Sequence, residues 1–384
     1  MGDNARPTRR VYLDHAATTP LLPAARAALL DTLDLVGNPH AVHTAGRRAR
    51  AVVDEARELL ADALDAHPME VVFTAGGTEA DNLAVLGAAG REGRPRILTS
   101  AIEHPAVARA FEHVRGDAAA TDILPVTPGG HVDPAAVAAT AGPDTALVTV
   151  QWVNNEVGTV QPIGAIASAA AAVGAWSHSD AAQAVGHVPV SFAASGLDML
   201  TVAAHKVGGP VGIGALLVSR DIAPAPSSFG GGQERSLRSG TLSAPLAAAF
   251  AAAVAHAVRG LDAESARLTA LRTALASGIL TSVPGTRVNG TDPVSPGVCS
   301  VTFTGLRASD LQFLLDREGF DCSTGSACHA GVVQPSDVLL AMGRSRADAS
   351  ATLRFSLGWT TAPDDVTALL RALPTLVERA RDAA

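Results

Sequence analysis

Between residues 70 and 220 the hydrophobic positions fall into short β-branched runs, separated by stretches whose apolar residues recur at helical spacing. The runs at 71–73, 96–99, 146–152, 175–179, 199–202 and 213–218 predict strands. The stretches 79–89, 105–115 and 164–173 predict helices between them. This alternation predicts an α/β fold in which helices flank both faces of a mainly parallel sheet. Ligands in such sheets bind outside the carboxyl ends of the strands, so chemistry-bearing residues are expected just after strands.

Beyond this region the pattern changes. An alanine-rich apolar stretch at 245–258 predicts a buried helix, and an amphipathic one follows at 263–280. The runs VCSVTF, LQFLLDREGF and LRFSL and a closing helix near 364–381 predict a smaller α+β domain. The expected division is a large domain at 14–258 and a small one made of 1–13 and 259–384. No internal repeat or low-complexity linker interrupts it.

Composition narrows the function classes. Of 384 residues, 47% are hydrophobic and 17% charged, which suits a well-packed globular chain. A net charge of −8 gives no general attraction to nucleic acid, and the clusters Arg9-Arg10 and Arg47-Arg48-Ala49-Arg50 are short enough to be solvated surface. The N-terminus MGDNARPTRR has no apolar signal region, and the apolar stretch 245–258 is shorter than the ~20 residues a membrane span needs. A cytoplasmic protein without membrane contact is expected. Three cysteines are a poor disulfide framework, because an odd count leaves at least one thiol free. Cys299, within VCSVTF, is expected to be a buried strand residue.

The chemistry converges on one lysine. Lys206 lies between small apolar residues and a glycine-rich turn, an environment that depresses an amine's pKa and suits Schiff-base formation. Upstream, Asp180 ends a predicted strand and Gln183 follows three residues later. A carboxylate there would keep the ring nitrogen of pyridoxal 5'-phosphate protonated, and Gln183 could reach its phenolic oxygen. Thr74-Ala-Gly-Gly77-Thr78-Glu79 directly follows another strand and opens a helix, a seat for phosphate.

These residues carry a resemblance. The motifs YLDHAATTP, GNPHAVHTAGR, FTAGGTEADNLA, EHPAV, VNNEVGTVQPI, HSDAAQAVG, AHKVGGPVGIGAL, GGGQERSLRSGT, STGSAC and RFSLG occur in order from residue 12 to residue 358. They resemble the class V, fold-type I pyridoxal-phosphate enzymes, specifically the cysteine desulfurases of the NifS/IscS group. The resemblance implies that His104 stacks on the cofactor and that Asn155 lies beside its phenolic oxygen and the substrate. It implies that Gly77, Thr78 and His205 hold the phosphate, with Thr241 completing the seat of the other subunit of a homodimer. Arg354 would clamp the substrate carboxylate. Where the family commonly has a serine two residues before the phosphate-binding histidine, this chain has Ala203, so one hydroxyl donor is missing.

The segment CSTGSACHAG, residues 322–331, then acquires a role. Attack on the sulfur of L-cysteine needs an exposed thiolate, and Cys328 stands among Gly325, Ser326, Ala327 and Gly331, which suit a loop. A zinc clip would need further ligands at regular spacing, so no metal is expected. Cys322 is expected to close a short strand and be structural, and His329 to face solvent. Ser323-Thr-Gly-Ser-Ala-Cys328 follows the IscS/NifS pattern, with Thr324 in place of a serine. The implied reaction converts L-cysteine to L-alanine and leaves a persulfide on Cys328 for an acceptor protein, such as an iron–sulfur scaffold or a tRNA thiolase. Other readings are the same chemistry serving tRNA thiolation or DNA phosphorothioation, or a selenocysteine lyase.

Overall fold

The computed structural model describes residues 10–115, 121–325 and 334–383. The chain enters through β1 (Val11–Tyr12). It then builds one sheet from β2 (Val71–Thr74), β3 (Arg96–Ser100), β4 (Thr121–Leu124), β5 (Thr145–Thr149), β6 (Trp176–Asp180), β7 (Met199–Ala203) and β8 (Gly214–Val218). The spatial order is β2-β8-β7-β6-β5-β3-β4. From β7 to β4 neighbouring strands are parallel, while β8 runs against both β7 and β2.

Helices cover both faces, which is why β2, β5, β7 and β8 are buried at every position and read as continuous apolar runs. Alternate residues still serve opposite faces. Val71 and Phe73 join one core with Leu60 and Phe250, and Val72 joins another with Leu83 and Phe111. The alanine-rich stretch forms the helix Ala244–Arg259 and is buried as expected, with Ala247, Phe250, Ala251 and Val254 facing inward. Alanine there lets it lie close against the helices Pro23–Thr32 and Thr44–Ala63.

The strand β4 was not anticipated. It is four residues long at a sheet edge, paired only with β3, so it carries no alternation long enough to read.

A second core lies beyond the large sheet. Here β9 (Thr286–Val288), β10 (Val298–Phe303), β11 (Phe320–Asp321) and β12 (Thr352–Ser356) appear, with β12-β10-β9 antiparallel. The remaining strand, β11, pairs in parallel with β1 through Val11 to Phe320 and Tyr12 to Asp321. Leu13 is therefore buried with Leu275, Phe303, Phe355 and Leu373. Among the described residues no single helix is long and apolar enough to cross a membrane.

Candidate active site

The carboxyl ends of β6 and β7, the start of the helix Gly77–Ala88 and the pair Ala16 and Ala17 help enclose a cavity of about 1040 Å³. Lys206 sits in it because β7 ends in a tight helical turn, Ala204–Lys206, which throws the side chain across the sheet end. Its Nζ donates to the carbonyl oxygens of Ala16 at 2.6 Å and Ala17 at 2.9 Å. Burial, then the Arg354 charge, brings the amine down to about 8 from its ordinary 10.5. These two carbonyls come from the YLDHAATTP motif, folded back on itself by the Tyr12 hydroxyl donating to Asp14 and Thr18 carbonyls.

Asp180 ends β6 and accepts a hydrogen bond from the Ala182 N–H at 2.8 Å. Burial raises its pKa, while His104 and Lys206 oppose that rise. Gln183 donates to the Ala16 carbonyl at 2.8 Å, so it and Lys206 share one acceptor. His104 lines the same cavity, and its Nδ1 accepts from the Ala106 N–H at 3.2 Å. That acceptor role leaves the proton on Nε2 in the neutral ring. Burial lowers its pKa, with Lys206 adding to the effect and Asp180 opposing it.

The phosphate seat is built on glycine. The helix Gly77–Ala88 begins without a side-chain cap, so first-turn N–H groups are left for an anion. A Cβ on Gly77 would stand 3.3 Å from that of Ala203, and one on Gly214 would strike the Val202 carbonyl at 2.7 Å. Thr78 and His205 line the cavity beside this turn. Burial, then Lys206 and His104, takes His205 down to about 4, so the ring is neutral.

Arg354 projects from β12, almost fully buried. It donates to the Asn155 carbonyl at 2.8 Å and to Asp14 at 2.7 Å, and its Nε has no protein acceptor. Asn155 lines the cavity, whereas Asn154 is buried and structural, donating to the Ile102 carbonyl. Thr241 is exposed and does not line this cavity in its own chain.

Cys328 and His329 lie outside the described residues. What leads up to them is described. Ser323 pairs with Arg354 through two backbone hydrogen bonds, at 2.7 and 3.1 Å, and Gly325 (φ +79°) rests against Glu156. On the far side, Ser336 donates to the same Glu156 carboxylate at 2.5 Å. Both flanks of the thiol segment therefore line the cavity that holds Lys206. Cys322 follows β11, is buried, and has its thiol pKa pushed up by burial; Cys299 is buried and pushed up to about 12. Neither is a nucleophile at neutral pH.

Sequence reasoning missed Asp14, Asp81, Glu103 and Glu156, all of which reach this site. Glu103 accepts from Ser100 and the Gln151 N–H, and burial raises it to about 8. Asp81 shares its helix with Glu79 and Asn82, so nothing along the chain marks it as the buried acid.

Residues and cavity fit pyridoxal phosphate. A depressed amine, a buried carboxylate, an uncapped helix start and a buried arginine line one cavity.

Comparison with known proteins agrees. Residues 11–369 match the Aminotransferase class-V family. The chain is 49% identical over 383 residues to an IscS-like cysteine desulfurase of Mycobacterium tuberculosis, covering 97% of this chain and 98% of that one. A solved NifS-like protein superposes with a TM-score of 0.89 at 30% identity, covering 96% of this chain and all of the other. DndA from Streptomyces lividans gives 0.75 at 38% identity, covering 90% and 99%. This chain belongs to the class-V aminotransferase family, among its cysteine desulfurases of the IscS/NifS group.

Proposed function

We propose that this enzyme takes sulfur from L-cysteine, releases L-alanine and passes the sulfur, as a Cys328 persulfide, to an acceptor protein of iron–sulfur cluster assembly. The observation that carries it is the convergence of both flanks of the Cys328 segment on the cavity of Lys206 and Arg354. When bound, pyridoxal phosphate supplies an electron sink that acidifies the substrate Cα–H. Lys206 would anchor it, Asp180 would meet its ring nitrogen and Gln183 its phenolic oxygen. Gly77, Thr78 and His205 would hold its phosphate, and His104 would lie against its ring.

The chain's own groups do the rest. Arg354, which lines the cavity, takes the substrate carboxylate. The Lys206 amine, its pKa brought near neutrality, accepts and returns the proton at Nζ. The Cys328 thiolate attacks the substrate sulfur; the S–S bond forms and the Cβ–S bond breaks with its electron pair left on carbon. Protonation there gives the methyl group of alanine. The carbon is reduced and the transferred sulfur oxidised, so no external oxidant is needed.

A homodimer and a cytoplasmic location belong to this proposal. Supporting a dimer, Val36, Val42, Val211 and Phe229 are each more than 70% exposed, and Thr241 is exposed without lining its own cavity.

The test is to supply the holoenzyme with L-cysteine and a thiol reductant. Alanine and sulfide should appear in equal amounts, and an iron–sulfur scaffold protein should receive labelled sulfur from the persulfidated enzyme. Sulfide without alanine sinks the reaction; no transfer to the scaffold sinks the acceptor assignment alone.

A further inference from the structure

Directly behind Asp180 lies an acid that the reaction above does not use. Asp81, on the helix Gly77–Ala88, is 1% exposed. One oxygen of its carboxyl group has no hydrogen-bond partner, and Asp81 lines the same cavity. Asp81, His104 and Asp180 each offer an atom within 4.8 Å of the others. Two carboxylates this close and this dry cannot both be ionised, so one keeps a proton.

The surroundings decide which one. Asp180 accepts the Ala182 N–H and faces Lys206 and His104, all of which favour its charge. Asp81 faces no cation. His178, its nearest basic neighbour at 3.7 Å, is buried between the Thr149 hydroxyl at 2.8 Å and the Thr201 hydroxyl at 3.0 Å. Burial takes that ring to about 3, so it stays neutral. The Thr201 hydroxyl gives Asp81 some support, but the Asp180 and Glu103 charges oppose ionisation, and burial opposes it most.

We infer that Asp81 is a positioning residue that keeps its proton, so that the pair holds one negative charge, fixed on Asp180 where a cofactor ring nitrogen would meet it. This rests on the pyridoxal-phosphate reading of the site. The chain thereby presents one defined carboxylate at the end of β6, with its neutral neighbour excluding a second charge and water.

The test compares Asp81→Asn with the unaltered protein. In the cofactor-free protein at pH 7, infrared difference spectra should show a protonated-carboxyl C=O band that Asp81→Asn lacks. Glu103→Gln serves as the control for the other raised acid. In the holoenzyme, the pH midpoint of the bound cofactor's absorption should agree between Asp81→Asn and the unaltered protein within about 0.3 unit, since one neutral group replaces another. No band lost in Asp81→Asn, or a midpoint moved by about a unit or more, overturns the inference, because removing a true charge beside Asp180 would shift it that far. Failure of the protein to take up pyridoxal phosphate would overturn the functional reading instead, and the infrared band would still decide Asp81.

Discussion

Lys206 and Gln183 donate to the same oxygen, the carbonyl of Ala16, at 2.6 and 2.8 Å. That oxygen holds the amine at the cavity floor and aligns Gln183 beside it. Lys206→Ala removes the only amine in this cavity among the described residues. The purified variant is expected to lose the yellow colour of bound cofactor and at least about a thousandfold of activity. A yellow, active variant contradicts the assignment.

Cys328→Ser tests the other reactive group. The variant should keep the cofactor absorption and still bind L-cysteine, yet release no sulfide, because a hydroxyl is not ionised near neutral pH. Undiminished sulfide release would exclude a persulfide on this residue.

Arg354 bridges the Asn155 carbonyl and the Asp14 carboxylate with its two terminal nitrogens and lines the cavity. Lysine cannot reproduce that fork. Arg354→Lys should raise KM for cysteine by about tenfold to a hundredfold, in line with losing a charge-assisted hydrogen bond. An unchanged KM would place substrate recognition elsewhere.

The Lys206 amine gives a pH signature in the cofactor-free protein. Folded, it releases its proton at about 8; unfolded, it keeps it to about 10.5. Between these values the unfolded state binds more protons, so rising pH favours the fold. Measured by denaturant unfolding, stability relative to Lys206→Met should rise from pH 8 to 10.5 and stay level below that window. A flat difference would mean the amine is not desolvated.

Glu234 anchors the loop that presents Thr241. Its carboxylate meets Arg57 at 2.5 and 3.1 Å and the Phe73 N–H at 2.6 Å. It holds Glu234, Arg235 and Ser236 in left-handed backbone, at φ 46°, 58° and 62°. Breaking a buried pair leaves Arg57 uncompensated, so Glu234→Ala should cost about 3 kcal/mol in urea unfolding. A loss below about 1 kcal/mol would show the pair to be incidental.

Much of this site was legible along the chain because its groups follow strands. Asp180 ends β6, and Lys206 and Gly77 each lie three residues past a strand buried at every position, so continuous apolar runs point to them. Asp14 and Asp81 were not legible. Asp14 follows a strand of two residues whose partner, Phe320–Asp321, lies at the far end of the sequence, and Asp81 looks like a surface acid until the helix is laid on the sheet.

The sequence by itself determined the alternation of the large sheet, the lysine in its glycine-rich turn and the order of motifs, since local spacing and residue chemistry specify these. Only the tertiary structure decided which charges are held apart from water and from each other. It buried Asp81 against Asp180, set Ala16 beneath Lys206 and brought Ser323 alongside Arg354, because burial and approach distance depend on segments that meet only after folding.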